Sequence, residues 1–256
     1  MRILNTRPAD QARPLTLAIE AAGGIVIEFP TLVIDPTPTT WLTTLTAQLN
    51  LTGVNSNLPS ITQALFISSN AVRYFFTALR QANLTWPSSI IVTAIGSGTA
   101  QTLQSFGIKV DWVPTISDSE HVLALTHLHD INHQIILLVK GVGGRELIQN
   151  SLCERGAQLH IATVYRRILP NHTEMDLNSL WRNDAVDIIL FTSHQAMQHL
   201  FTLLGKQASS WIRAKPCLVI SPRLAKAASA LGIQTVIVSA YADLLTTLEG
   251  FKHDNQ

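Results

Sequence analysis

Charge is scarce in this chain. Of its 256 residues only 14% are Asp, Glu, Lys or Arg, and the two signs nearly cancel at a net +1. No basic stripe of the kind a general nucleic-acid binder carries is present, although a local cationic cleft remains open. With 46% hydrophobic residues the chain is a folded globular protein and not a disordered one. From Pro36 to Val72 there is no charged side chain at all. That stretch is nevertheless crowded with Thr, Ser, Asn and Pro, whose polar groups lipid would leave unsatisfied, so it reads as a loop, a helix and a strand and no membrane is expected. The opening Met1-Arg2-Ile3-Leu4-Asn5-Thr6-Arg7 lacks an apolar core followed by a small-residue cleavage site, so no signal peptide is expected and the location reads as cytoplasmic. Only two cysteines occur, Cys153 and Cys217, in unrelated apolar settings. They are expected to be buried thiols and not a disulfide. The length suits one large domain or two small ones.

Cofactor signals are equally thin. His127, His129 and His133 have a spacing that permits metal binding, but no cysteine or carboxylate cluster accompanies them, so no metal is expected. The loop at Lys140 has neither the Walker order nor the Gly-x-Gly-x-x-Gly of a dinucleotide fold, and no cofactor is expected. Ser117-x-x-Glu120 reads as a capping box.

What the chain does have is alternation. Short runs rich in Ile, Val and Leu (Ile25–Phe29, Ala64–Ile67, Ile90–Ile95, Ile135–Val139, Ile188–Phe191, Cys217–Ile220, Val236–Val238) alternate with amphipathic stretches of helix length. Such apolar runs suit strands covered on both faces, hence an α/β fold with parallel sheets. The units also repeat. Arg7 and Gly23 recur 133 positions later as Lys140 and Gly156, while Phe66, Ser68, Ala100, Gly107 and Asp118 recur 125 positions later as Phe191, Ser193, Ala225, Gly232 and Asp243. The order A-B-A′-B′ implies two similar domains. It permits a tandem pairing or an interleaved one, with connectors near Leu32–Pro38 and Tyr165–Asn171, where Pro36, Pro38 and Pro170 stand.

Ligands of open α/β folds bind beyond the carboxyl ends of the strands. Six strand-to-helix junctions fit that place: Thr6-Arg7-Pro8, Ser68-Ser69-Asn70, Gly96-Ser97-Gly98-Thr99, Lys140-Gly141-Val142-Gly143-Gly144-Arg145, Thr192-Ser193-His194 and Ser221-Pro222-Arg223. All are small, hydroxylated or basic. Each is expected to open a helix, offering free backbone N–H groups at the positive end of its dipole. A cleft lined this way suits a polyanion.

At these residues the sequence resembles the uroporphyrinogen-III synthases. The resemblance rests on Thr6-Arg7-Pro8, Leu65-Phe66-Ile67-Ser68-Ser69-Asn70-Ala71-Val72, Ala94-Ile95-Gly96 with Thr99-Ala100, and Leu138-Val139-Lys140-Gly141 with Gly143-Gly144-Arg145-Glu146-Leu147. Val164-Tyr165-Arg166-Arg167, Phe191-Thr192-Ser193 and Gly232-Ile233 complete it. Each motif alone is weak, but the ordered set spans nearly the whole chain. One departure stands out: members commonly carry Arg-Gly where this chain has Lys140-Gly141, which keeps the charge and loses the bidentate fork.

The resemblance implies two pseudo-symmetric, flavodoxin-like parallel-sheet domains, interleaved in sequence and joined by a two-stranded connector. Residues 1–34 with 169–256 would form one and 37–165 the other, with the site in the cleft. It further implies a lyase of tetrapyrrole (heme) biosynthesis that dehydrates and cyclises hydroxymethylbilane to uroporphyrinogen III with inversion of the last ring. The expected species is a monomer, with a transient contact to hydroxymethylbilane synthase. Since the substrate is reactive by itself, folding it and holding its ends together is the main task, aided by one proton donor for the leaving hydroxyl. Tyr165 is the candidate donor; alternatively it only packs at the domain joint with its hydroxyl in water. Arg145, placed just inside a helix, and Arg7, Ser68, Ser69, Asn70, Ser97, Thr99, Lys140, Gly141, Gly143, Gly144, Thr192, Ser193 and Arg223 are the candidate substrate contacts. The hydroxylated ones among them serve equally well as helix caps. A two-lobed, non-enzymatic small-ligand receptor is the rival reading.

Overall fold

Most strands are short, and four interior ones are buried along their whole length. In the computed structural model, which describes residues 1–48, 61–144 and 146–254, the chain runs β1 (Arg2–Asn5), α1 (Ala9–Ala21), β2 (Ile25–Glu28), β3 (Val33–Pro36), α2 (Thr40–Gln48), β4 (Gln63–Phe66), α3 (Ser69–Gln81), β5 (Ile91–Ala94), α4 (Ser97–Ser105) and α5 (Ser119–Leu123). It continues through β6 (Ile135–Gly141), α6 (Leu147–Glu154), β7 (Gln158–Ile168), α7 (Glu174–Arg182), β8 (Ile188–Phe191), α8 (His194–Ala214), β9 (Cys217–Val219), α9 (Pro222–Ala230), β10 (Val236–Val238) and α10 (Leu244–Asp254). Strands β4, β6, β8 and β9 are buried at every position. Continuous apolar burial of this kind requires helices on both faces of a parallel sheet.

Two five-stranded sheets result, ordered β10-β9-β8-β1-β2 and β3-β7-β6-β4-β5. Ile3 pairs with Ile188, and Phe66 pairs with Val139, so the interleaved arrangement is the one adopted. The compact units are Met1–Ile34 with Ile168–Gln256, and Asp35–Arg167. Within the first unit the order reads 2-1-3-4-5 along the chain, which is the flavodoxin order. Setting aside edge strand β3, which lies beside β7, the strands run parallel.

The duplication holds at the level of hydrogen-bonded register. Arg2↔Ile25 recurs as Ile135↔Gln158, both partners moved on by 133. Ala64↔Val92 recurs as Ile189↔Cys217, both moved on by 125. Even the fifth strand has its counterpart: Trp112 makes an isolated parallel bridge to Thr93, and 125 positions later Ile237 lies in β10.

Side chains alternate across each sheet. In the first unit Leu4, Ile189, Phe191, Cys217 and Val219 join one core layer with Met197 and Leu200, while Ile3, Ile188, Leu190 and Leu218 join the other with Leu15, Ile19 and Leu248. In the second, Leu65, Ile136 and Leu138 pack with Leu152 on one face. On the other, Phe66 meets Phe75, Phe76 and Trp86 within 6.2 Å between ring centroids. Full burial of each such side chain contributes about 1.5–3 kcal/mol.

Several expectations need correction. Helix α5 is capped by Asp118, whose side chain accepts from His121 N–H at 2.8 Å, so no Ser117–Glu120 box forms. Ser117 instead fills the space a Cβ at Gly96 would need. A capping box does form at α7, between Thr173 and Asp176. Cys217 is buried and its thiol pKa is pushed up to about 12 by burial, but Cys153 is exposed, one position round α6 from buried Leu152. His127, for which the sequence suggests no metal role, has a structural place: it stacks on Trp112 at 4.5 Å and meets Thr93 Oγ1 at 2.9 Å. Among the described residues no helix is long and apolar enough to cross a membrane.

Candidate functional site

In the second unit, the carboxyl ends of β4, β5 and β6 carry the polar junctions. Ser68 has extended backbone and caps α3, its Oγ accepting from Ala71 N–H at 3.0 Å. Ser69 Oγ donates to the Gly98 carbonyl at 3.1 Å and so ties the start of α3 to the start of α4. Asn70 is half-buried in the first turn of α3, Ser97 is exposed at the start of α4, and Thr99 is buried one turn in. Asp118 adds a carboxylate to this edge at the start of α5. Hydrogen bonds from the His121 backbone, then its ring, hold that carboxyl below its usual range.

The Gly-rich segment departs from the expected junction. Lys140 and Gly141 are the last two residues of β6 and both are buried. Gly143 and Gly144 follow in an exposed turn with φ of 73° and 88°, a left-handed backbone that glycine adopts without penalty. Helix α6 begins only at Leu147, so position 145 precedes it, and Arg145 itself lies outside the described residues.

Tyr165 is the centre of this edge. Between β6 and β7 the register slips from Lys140↔Thr163 to Gly141↔Tyr165, a bulge that places one extra residue in β7. Bulges re-aim the side chain that follows, and here the aromatic ring is laid over the Gly141 Cα. A Cβ at position 141 would stand 2.5 Å from Tyr165 Cζ. Tyr74 stacks on the ring at 5.9 Å. The phenol is only 2% exposed, yet its oxygen is bonded twice: Ser68 Oγ lies at 3.2 Å, and Arg167 Nη2 donates at 3.1 Å. The alternative of a hydroxyl left in water is therefore not what the fold builds.

The first unit carries the corresponding edge. Thr6 is buried, its Oγ1 donating to the Leu190 carbonyl at 2.7 Å, and half-buried Arg7 follows it. Ser193 caps α8 by accepting from Ala196 N–H at 3.1 Å, the counterpart 125 positions on of Ser68 with Ala71. Thr192 beside it is half-buried. Ser221 caps α9, and Arg223 projects exposed from its first turn.

Ser68, Ser69, Gly141 and Tyr165 thus come together, with Gly98 and the start of α4 beside them. Thr6, Arg7, Thr192, Ser193 and Arg223 belong to the other unit. Two residues near Tyr165 were not among the sequence candidates: Arg167 and Tyr74. Arg167 was within reach of sequence reasoning, because side chains two apart on a strand share a face. Tyr74, on a helix, gave no such signal.

The chain is thus built of two interleaved α/β units, each presenting hydroxyl-capped helix N-termini at the carboxyl edge of a parallel sheet. The family model described as uroporphyrinogen-III synthase HemD matches residues 14–245. This chain belongs to the uroporphyrinogen-III synthase family. Among its relatives, the uroporphyrinogen-III synthase of Escherichia coli K12 is 31% identical over 245 residues, covering 95% of this chain and 96% of that one. That of Chlorobaculum parvum is 26% identical, covering 94% of each. Solved structures with the same fold include a mutant uroporphyrinogen III synthase from Thermus thermophilus (TM-score 0.66, 18% identity, 99% and 98% covered) and the uroporphyrinogen-III synthetase of Helicobacter pylori (TM-score 0.61, 18% identity, 97% and 99% covered). At that identity the likeness is one of fold.

Proposed function

We propose that this chain, as a cofactor-independent cyclising hydro-lyase of tetrapyrrole biosynthesis, converts hydroxymethylbilane to uroporphyrinogen III, with Tyr165 as the acid that releases the hydroxyl. The carrying observation is the phenol of Tyr165, shielded from bulk water and held by Ser68 and Arg167 at the edge where α3 begins. In the first step the pyrrole nitrogen pushes out the hydroxyl of the terminal hydroxymethyl group; the C–O bond breaks, the Tyr165 proton joins the departing oxygen, and water and an azafulvene cation result. The cation is attacked by the substituted carbon of the far ring, giving a spiro intermediate whose reopening inverts the last ring. The proton later lost from the far ring restores the phenol, so the net change is loss of one water. Acetate and propionate groups are received by backbone N–H groups at Ser68, Ser69, Asn70, Ser97, Gly143 and Gly144; on the other unit, Thr192, Ser193, Arg7 and Arg223 are the candidates that the family resemblance gives. Arg145, outside the described residues, and buried Lys140 are further candidates for this set.

The test is the product isomer. The protein, dialysed against a chelator, is given hydroxymethylbilane, and the isomers are separated after acid oxidation. The expected result is isomer III. A receptor would leave only the isomer I of uncatalysed closure, and that outcome would overturn the proposal, as would activity that returns only on adding a metal.

A further inference from the structure

We propose that Arg167 is the positioning residue of the acid: it holds the Tyr165 oxygen through one of its lone pairs and aims the phenol's hydrogen at the ligand. This inference rests on the reading of Tyr165 given above and adds a residue to it.

The placement starts in the strand. Beyond the bulge, Tyr165 and Arg167 are two apart in β7 and stand on one face, while Arg166 stands on the other and pairs with Asp35 at 2.7 Å. The two neighbouring arginines are thereby sorted. Arg166 is neutralised by a carboxylate, whereas Arg167 makes no ion pair among the described residues. Its guanidinium instead lies 5.3 Å from the Tyr165 ring centroid and donates through Nη2 to the phenol oxygen at 3.1 Å. Arginine is suited to this: its planar group can lean along an aromatic ring and still donate in a fixed direction.

The hydrogen-bond inventory limits where the proton points. A phenol has one hydrogen and an oxygen that accepts. Arg167 has no acceptor, so the phenol must accept from it. Ser68 Oγ, fixed by its own bond from Ala71 N–H, can fill the remaining acceptor site. Either oxygen of the Ser68–Tyr165 pair can donate; with Ser68 as the donor, the phenol hydrogen is left for a ligand. As that proton departs, negative charge grows on an oxygen already facing a guanidinium, with no reorganisation required. Gly141 below the ring and Tyr74 beside it keep the oxygen from swinging away.

A double-mutant cycle tests this, using the whole protein and hydroxymethylbilane. Arg167→Ala should lower kcat about tenfold to a hundredfold, the range for a hydrogen bond to a charged group, with KM changed less than about threefold. In a Tyr165→Phe background the same substitution should cost less than about threefold, because the oxygen it serves is gone. Arg167→Lys, with a donor but no planar fork, should recover part of the loss. A purely structural role would cost the same in both backgrounds, and that additivity would overturn the proposal. So would a raised KM at unchanged kcat, which would make Arg167 a ligand for a substrate carboxylate. If Tyr165→Phe turns over at the wild-type rate, the acid assignment falls and its positioner with it. If Tyr165→Phe is slow and Arg167→Ala additive, only the positioning falls.

Discussion

Gly141→Ala isolates the contact on which the site depends. The glycine has no left-handed backbone to protect, so alanine meets no conformational penalty there and only space decides the outcome. The added methyl would stand 2.5, 2.7 and 2.9 Å from Cζ, Cε2 and Cε1 of Tyr165, closer than carbons approach each other. The ring cannot retreat without breaking its bonds to Ser68 and Arg167 or pressing on Tyr74. Overpacking of this kind costs about 1–3 kcal/mol, which for a chain of this size lowers Tm by about 2–12 °C. The larger consequence is kinetic. Displacing the phenol removes the proposed acid; such a group is typically worth about 10² to 10⁴ in rate, and the low end applies because water can partly replace it beside so reactive a substrate. Stopped assays of isomer III formation and a thermal melt measure both. The decisive control is Tyr165→Ala, which vacates the ring's volume: there Gly141→Ala should be neutral or stabilising. A wild-type rate for Gly141→Ala, or the same loss of Tm in both backgrounds, would refute the reasoning.

Two further outcomes follow from the rest of the molecule. Burial holds the His127 pKa below its ordinary value against the opposing pull of Asp111, and burial lowers His160 as well. The unfolded chain therefore binds protons that the folded one refuses, so stability is full above about pH 6.5 and is lost as pH falls below it. His127→Phe, which keeps a ring on Trp112, should flatten the fall in Tm between about pH 7.5 and 5.5, and an unchanged slope would exclude His127 as its source. The depressed carboxylates Asp184 and Asp187 act only in the lower window around their unfolded pKa of about 3.9. On the substrate side, Thr192→Ala should slow turnover about tenfold or less, and Ser193→Ala similarly with about 1 kcal/mol of lost cap, both still giving isomer III. Ser68→Ala should be slowest of the three because it also strips a partner from Tyr165; equal losses would count against that distinction.

The duplicated scaffold was legible because periodicity and spacing encode it directly. A register repeated at 133 and at 125 appears in the sequence as Arg7 with Lys140 and Phe66 with Phe191, and in the structure as the same strand partners. The caps at Ser68 and Ser193 were legible too, since a hydroxyl before a helix commonly caps it. The start of α5 was misread by one residue because Ser117 and Asp118 are both good caps, and the choice was made by Gly96, which leaves room for Ser117 and is 21 positions away in the sequence. The Lys140 segment was misread because its strand continues through Gly141, kept there by pairing to β7 that no local pattern announces.

The surroundings of Tyr165 were hidden for a related reason, and the duplication shows why. Strand β1 follows β2 without interruption through Asn5↔Glu28, whereas the corresponding pair β6–β7 slips by one residue at Gly141. The residue 133 positions before Tyr165 is Leu32, a buried aliphatic side chain with no hydroxyl to offer. Over the register shared with β1–β2, which ends at the equivalent of Leu138↔Ile161, the two units match, because each must bury its strands under helices. After it they diverge, and the divergence turns a tyrosine onto a glycine and under an arginine. A bulge is a property of paired strands, visible only once both partners are in place, so reading either strand alone gives the scaffold and misses the setting of Tyr165.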